Sequence, residues 1–222
     1  MDKFVIAIDG PSGVGKSTLG KALARYFNFL FIDSGAVYRA IGLKALQTHT
    51  PLDDLHAVSQ IARTAQIQLE GDPDDLHVYL DGKDVTSLIR APEVSRAASV
   101  VATIPQVREA VVDALREMSR SQGVIMDGRD IGTKVFPDAP VKLFIEASPD
   151  VRAERRWKEE LEKGREIALD MVRTELEERD RRDRERAATP LVKADDAILI
   201  DTSLMNIESV IARVLEIINA HR

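Results

Sequence analysis

The 222-residue sequence contains no cysteine, which excludes disulfides, thiolate metal sites and thiol catalysis together. It also lacks a long apolar run at its start. The stretch MDKFVIAIDG breaks at Asp9 and Gly10, too early for a signal peptide's hydrophobic region or a membrane span. Net positive charge is missing as well: 37 Asp and Glu outnumber 31 Lys and Arg, for a formal net charge of −6. Neither a nucleic acid nor an anionic membrane attracts such a chain overall. With 44% hydrophobic and 31% charged residues, the chain can bury one substantial core and stay soluble. A cytoplasmic protein with neither nucleic-acid nor membrane partners is expected.

What is present begins with five short apolar runs: FVIAI (4–8), LFID (30–33), VIMD (124–127), VKLFIEA (141–147) and AILID (197–201). Continuous hydrophobicity of this kind marks parallel strands buried on both faces. Helical patterns alternate with them: TLGKALARYF, AVYRAIGLKAL, PQVREAVVDALREM, which opens on a proline suited to a first turn, and NIESVIARVLEIINA. The alternation predicts one α/β domain, a doubly wound five-stranded parallel sheet between layers of helices. Two segments interrupt it. Gln66 to Thr86 reads as two short strands around a GDPDD turn, giving a small insert at about 66–90. Asp150 to Arg186 is charged and poor in strand formers, so it reads as a helical lid with a hinge-like break at Gly164. The core then comprises about 1–65, 91–149 and 187–222.

GPSGVGKS (10–17) matches G-x-x-x-x-G-K-[ST] in full and stands between a buried strand and a helix. Its glycines let backbone N–H groups curl around an anion, and the helix N-terminus adds a favourable dipole. Lys16 would reach the β and γ phosphates of a nucleoside triphosphate, and the Ser17 hydroxyl would ligate Mg²⁺. The acid that completes the metal's surroundings should end a neighbouring strand. Asp127, closing VIMD, is preferred, and Asp33, closing LFID, is the rival.

No N-K-x-D motif of the small GTPases occurs, and the remaining pattern suggests a small kinase with an acceptor pocket. In open α/β sheets, ligands bind beyond the carboxyl ends of the strands. The loops there, IDSGAVYR (32–39) and MDGRDIG (126–132), carry Arg39 and Arg129. ERDRRDRERAATPL (178–191) adds five arginines within eight positions. So much guanidinium predicts an anionic acceptor, a phosphate above all. At about 100° per residue, Arg179, Arg182, Asp183 and Arg186 share one helix face, while Arg181 and Arg184 point the other way. The competing reading is a solvated helix laced with pairs such as Asp180–Arg184. The four histidines (49, 56, 77 and 221) fall outside these loops. Transfer that runs on positioning and charge without a base favours a nucleotide acceptor over a hydroxyl.

IDGPSGVGKST, DSGAVYRAIG, DGRDIGTKVFPDAPVKLFIEAS and ERDRRDRERAATPL, in this order, resemble bacterial cytidylate kinases, and the similarity runs from residue 3 to the C-terminus. The resemblance implies a P-loop NTPase fold in which the 66–90 excursion is a monophosphate-binding insert. It implies transfer of the γ-phosphoryl group of MgATP to CMP or dCMP, giving CDP or dCDP and ADP, by a monomer. ATP would be held by Gly10, Pro11, Ser12, Gly13, Val14, Gly15, Lys16, Ser17 and Thr18, with Arg155 and Arg156 as lid arginines. The nucleoside of CMP would be held by Ser34, Ser99, Arg108, Asp130, Arg179, Asp183 and Arg186, and its phosphate by Arg39 and Arg129. Lys16, Arg129 and Arg182 would stabilise the transferring group; Ser17 and, through water, Asp127 would position Mg²⁺. Read without the resemblance, Ser99 is a helix-packing residue, Arg108 a surface residue, and Arg155 and Arg156 part of an exposed helix. A kinase for UMP or AMP, and an ATP-binding switch that transfers nothing, are the alternatives. A nucleic-acid-dependent ATPase is disfavoured by the net charge.

Overall fold

The computed structural model of the chain describes residues 4–120 and 122–220, so His221 lies outside the described residues. From the N-terminus, β1 (Val5–Asp9) leads into α1 (Lys16–Phe27), and β2 (Leu30–Asp33) into α2 (Ser34–Gln47) and α3 (Leu55–Thr64). A ribbon of β3 (Ile67–Glu70), β4 (His77–Leu80) and β5 (Lys83–Asp84) follows, then α4 (Pro92–Val101) and α5 (Pro105–Met118). The chain continues through β6 (Val124–Gly128), β7 (Val141–Glu146), a helical hairpin of α6 (Pro149–Glu162) and α7 (Leu169–Glu185), β8 (Ile198–Asp201) and α8 (Ile207–Ala220).

The five apolar runs are the five strands of one sheet, in the order β2-β6-β1-β7-β8, and every pairing in it is parallel. Alternation along β1 shows why these strands are apolar almost throughout, Lys142 of β7 being the interior exception. Ile6 and Ile8 pack with Leu19 and Leu23 of α1 and Val210 and Val214 of α8. Val5 and Ala7 face the opposite layer, with Ile41 of α2, Val58 of α3 and Val107 and Val111 of α5. Both faces are buried along the central strands, whereas the edge strand β8 leaves Leu199 exposed, contrary to the fully buried strand expected there; the architecture is the three-layer doubly wound sheet read from the sequence. Where the chain leaves β1, Gly10 has φ +145°, and a Cβ there would lie 2.1 Å from the Ile145 carbonyl oxygen. Only glycine tolerates both conditions.

The insert is a three-stranded antiparallel sheet, β3-β4-β5. The first two strands are those read from the sequence; the third was not, because two residues are too few to show a period. Val78, Leu80 and Val85 of this insert pack with Ala36, Ala40 and Leu43 of α2 and Val94 of α4. Helices α3 and α4 were likewise not read, although Asp54 caps α3 by accepting from Ala57 N (3.0 Å) and Pro92 opens α4. The segment expected to form a lid is the α6–α7 hairpin, broken at Gly164 (φ +73°). Its own small cluster of Ala153, Val172 and Leu176, flanked by Trp157, is separate from the main core. Among the described residues, no helix is long and apolar enough to cross a membrane.

Candidate active site

The phosphate loop turns into α1 at Gly15, whose left-handed φ of +89° swings the first helical N–H groups toward the loop's concavity. Lys16 Nζ folds back over it, donating to the Gly10 (2.8 Å) and Pro11 (2.6 Å) carbonyl oxygens. Burial, then the neighbouring Arg129 and Arg179, push the Lys16 pKa down to about 7. A phosphate beside it would reverse that trend.

The β2–β6 register sets Asp33 directly against Asp127, and the two carboxylates have different partners. Asp127 Oδ2 accepts from Ser17 Oγ (2.6 Å), and burial together with the Asp33 charge raises its pKa to about 7. Asp33 instead receives Arg39 Nη2 (2.5 Å) and caps α2 at Ala36 N (3.3 Å). Burial would raise Asp33, but Arg39 outweighs it and holds the pKa below the ordinary value. A hydroxyl and a buried carboxylate that resists ionisation form a hard-oxygen pair that Mg²⁺ fits and would relieve. Among the described residues, no three His, Asp or Glu side chains gather into a metal cage.

A cleft of about 490 Å³ extends from the loop across the strand ends to α4 and α5. At its far wall stand Arg108, Asp130 and Arg186, exposed by 3%, 5% and 8%. Arg108 Nη2 donates to Asp130 Oδ2, its Nη1 to the Ala102 carbonyl (2.9 Å) and its Nε to Thr189 Oγ1 (2.5 Å). Arg186 Nε donates to the Thr189 carbonyl (2.8 Å). The Tyr38 ring lies under the Arg108 guanidinium, 5.4 Å from centroid to Cζ. Asp130 is aimed by Asp9, whose carboxylate accepts from Ile131 N (2.8 Å) and Gly132 N (2.7 Å), opening a π-helical turn at 131–135. Burial lifts Asp9 to about 6 against the pull of those two bonds. Ser99 Oγ is buried in the same wall without a hydrogen-bond partner.

The arginine-rich segment is helical to Glu185, and Arg186 caps it with extended backbone instead of extending the helix. Arg129 Nε donates to Asp183 Oδ2 (2.8 Å), and Asp183 also stands 3.7 Å from Arg186 Nη1. Burial would raise the Asp183 pKa, but Arg129 and Arg179 hold it down. Burial and Arg129 push Arg179 to about 10. Arg179, Asp183 and Arg186 line the cleft, whereas Arg181 and Arg184 are exposed. Arg182 is half-buried and borders neither cavity in this conformation.

Ser12, Gly13, Gly15, Lys16, Ser17, Thr18, Ser34, Arg39, Ser99, Asp127, Arg129 and Arg156 all border the main cleft. Gly10 and Pro11, whose carbonyls accept from Lys16, border neither cavity. Val14 and Arg155 border a second cavity of about 340 Å³ on the other side of the loop, with Met205 and Ile207. There Arg155 is tied to the Thr202 hydroxyl (3.1 Å) and carbonyl (2.8 Å). His49, His56 and His77 border neither cavity. Sequence reasoning passed over Asp9, Tyr38 and Thr189, whose partners are distant in the chain. The one local signal is that each adjoins or lies within a quoted motif.

A phosphate loop at the switch of a doubly wound sheet, facing an arginine-lined cleft, defines a P-loop kinase. The shikimate kinase of Bacteroides thetaiotaomicron has this fold: 97% of this chain and 98% of that one superpose with a TM-score of 0.50 at 17% identity. The family model described as cytidylate kinase matches residues 6–220, and the chain belongs to that family. The cytidylate kinase of Desulfitobacterium hafniense is 47% identical over 214 residues, covering 96% of this chain and 92% of that protein. That of Pelotomaculum thermopropionicum is 46% identical over 218 residues, covering 98% and 96%.

Proposed function

We propose that the chain transfers the γ-phosphoryl group of ATP to CMP or dCMP, giving ADP and CDP or dCDP. The observation that carries this is one cleft: the phosphate loop at one end, the buried Arg108–Asp130–Arg186 set at the other. The loop and Lys16 hold the donor phosphates. The adenine enters the second cavity against Arg155, and Arg156 closes from the lid. A magnesium ion held by Ser17 and, through water, by Asp127 would neutralise charge on the β and γ phosphates.

Arg39 and Arg129 bind the acceptor's phosphate. One of its oxygens forms a bond to the γ-phosphorus as the bond to the β–γ bridging oxygen breaks, and ADP leaves with that electron pair. The attacking oxygen is already ionised near neutral pH, so no base is required. Lys16 and Arg129, with Arg182 brought in by lid movement, stabilise the equatorial oxygens. Arg179 and Asp183 hold the sugar.

Base choice follows from Asp130. Its Oδ1 stands 3.8 Å from Arg186 Nη2, beyond hydrogen-bond distance, and so can accept from the cytosine N4 amino group. Arg108 or Arg186 donates to N3 and O2, and Ser34 and Ser99 complete the seat. Uracil would set its O4 against the carboxylate, leaving two acceptors opposed. The charge balance and the lack of cysteine fit a cytoplasmic setting, and the family resemblance alone supports a monomer.

The test is to supply ATP labelled in its γ-phosphate together with CMP and Mg²⁺. Label in CDP is expected; label in inorganic phosphate alone would refute the reading.

A further inference from the structure

Arg152 lies in the first turn of α6 and takes no part in the nucleotide contacts assigned above. It is 5% exposed, and its guanidinium is shared among three parts of the chain. Nε donates to the Ala147 carbonyl (3.1 Å), and Nη1 donates to the Ser12 carbonyl of the phosphate loop (3.3 Å) and to Asp180 Oδ2 of α7 (2.5 Å). Packing reinforces the link to the loop. A Cβ at Gly13 would meet the Arg152 carbonyl oxygen at 3.1 Å and its Cβ at 3.3 Å, so the loop rests directly on this helical turn.

Asp180 is 2% exposed. It follows Arg179 directly, stands one turn before Asp183, and adds to the field that keeps Arg129 charged. The pair therefore joins the donor's cradle to the helical turn that carries the acceptor's ligands. The pair closes the base of the α6–α7 hairpin, at the end opposite the break at Gly164. Stability alone is a weak reason for such a pair. A buried ion pair gains little over apolar side chains of similar volume, and the second carboxylate oxygen of Asp180 is buried without a partner, which is unfavourable.

We infer that Arg152 and Asp180 are positioning residues for phosphoryl transfer, fixing the phosphate loop against the α7 turn so that donor and acceptor meet in line. The inference rests on the kinase reading above. Two variants test it: Asp180→Asn, which keeps the shape, and the double variant Arg152→Met/Asp180→Leu, which replaces the pair by apolar side chains. For each, ADP formation is measured with saturating CMP and also without CMP, where water slowly takes the phosphoryl group. Water needs no aligned acceptor, so that second rate reports donor binding and folded fraction.

Transfer to CMP should fall by about 10- to 100-fold in both variants, the scale of a small misalignment. The CMP-independent rate and both KM values should stay within about threefold. The double variant should match or exceed the wild-type Tm while showing the same loss. Equal falls in both rates, or full transfer in the apolar variant, would mean a purely structural pair and overturn the inference. So would failure of both variants to fold. A wild type that forms no CMP-dependent ADP brings down the kinase reading and the inference with it. A wild type that transfers, with variants whose rate ratio is unchanged, brings down the inference alone.

Discussion

Replacing Asp130 by asparagine changes charge at nearly constant volume, so its consequences can be worked out from the contacts of one carboxylate. Asp130 is the anion between Arg108 and Arg186, whose side chains are each 3% exposed. Without it, two buried guanidiniums face one another. The nearest remaining anion is Asp183, 3.7 Å from Arg186 Nη1. A charge pair about 4 Å apart is worth roughly 4 kcal/mol at an effective dielectric of about 20. The amide oxygen still accepts one bond, so a loss of about 3 kcal/mol is expected, at the low end for breaking a buried pair. For a chain of this size that is a fall in Tm of about 6–12 °C. On the substrate side, the cytosine amino group loses a charged acceptor worth about 1.5–3 kcal/mol, so kcat/KM for CMP should fall by about 10- to 150-fold. UMP should suffer less, since the new amide can donate to O4. Thermal unfolding followed by circular dichroism, with coupled assays on CMP and UMP, measures both effects. A variant that loses the stability but keeps the CMP:UMP ratio would show that Asp130 is only a counter-ion and would refute the base-reading argument.

The two strand-end carboxylates should separate cleanly. Asp127→Asn should raise the Mg²⁺ concentration for half-maximal rate by about 10- to 100-fold, whereas Asp33→Asn, which frees Arg39, should act mainly on the KM for CMP; a magnesium titration of both variants decides. Because Arg129 and Arg179 outweigh burial and depress the Asp183 pKa, its ionised form stabilises the fold fully above the unfolded value of 3.8 and less as pH falls through the folded value. Denaturant titrations should therefore find Asp183→Asn less stable than wild type by a constant margin from pH 7 down to the ordinary aspartate value of 3.8, with the margin closing below it. Arg156→Met should raise the KM for ATP by about tenfold and leave that for CMP near wild type. Equal effects on both substrates would remove Arg156 from the donor side.

Elements and residues differed in how far the sequence revealed them, for physical reasons. Parallel strands in a doubly wound sheet announce themselves as apolar runs, and all five runs are strands, although β7 carries Lys142 and the edge strand β8 leaves Leu199 exposed instead of buried. The phosphate loop was legible because its glycines, lysine and serine are contiguous. Helical periodicity is local, so it placed Arg179 and Asp183 at the cleft and Arg181 and Arg184 in solvent; it did not hold for Arg182, which borders neither cavity, or for Arg186, which reaches the cleft from beyond the helix end. Asp180 marks the limit of that reasoning. By spacing it belonged with Arg184 on the surface, yet it is buried against Arg152, 28 residues away on another helix. Asp9 and Thr189 were missed for the same cause, since their partners lie 122 and 81 residues distant. Arg108 is the plainest case. On its helix it is one charged residue among several, and only the fold buries it against Asp130 and turns it into a candidate reader of a base.

The most direct test of the central claim is ADP production from MgATP with CMP, dCMP, UMP, AMP and GMP offered in parallel. Strong turnover with CMP and dCMP, and weak turnover with the other three, is predicted from the Arg108–Asp130–Arg186 pocket. Preferential turnover with UMP or a purine monophosphate would contradict it, leaving the fold and the phosphate chemistry standing but the base-reading residues wrong.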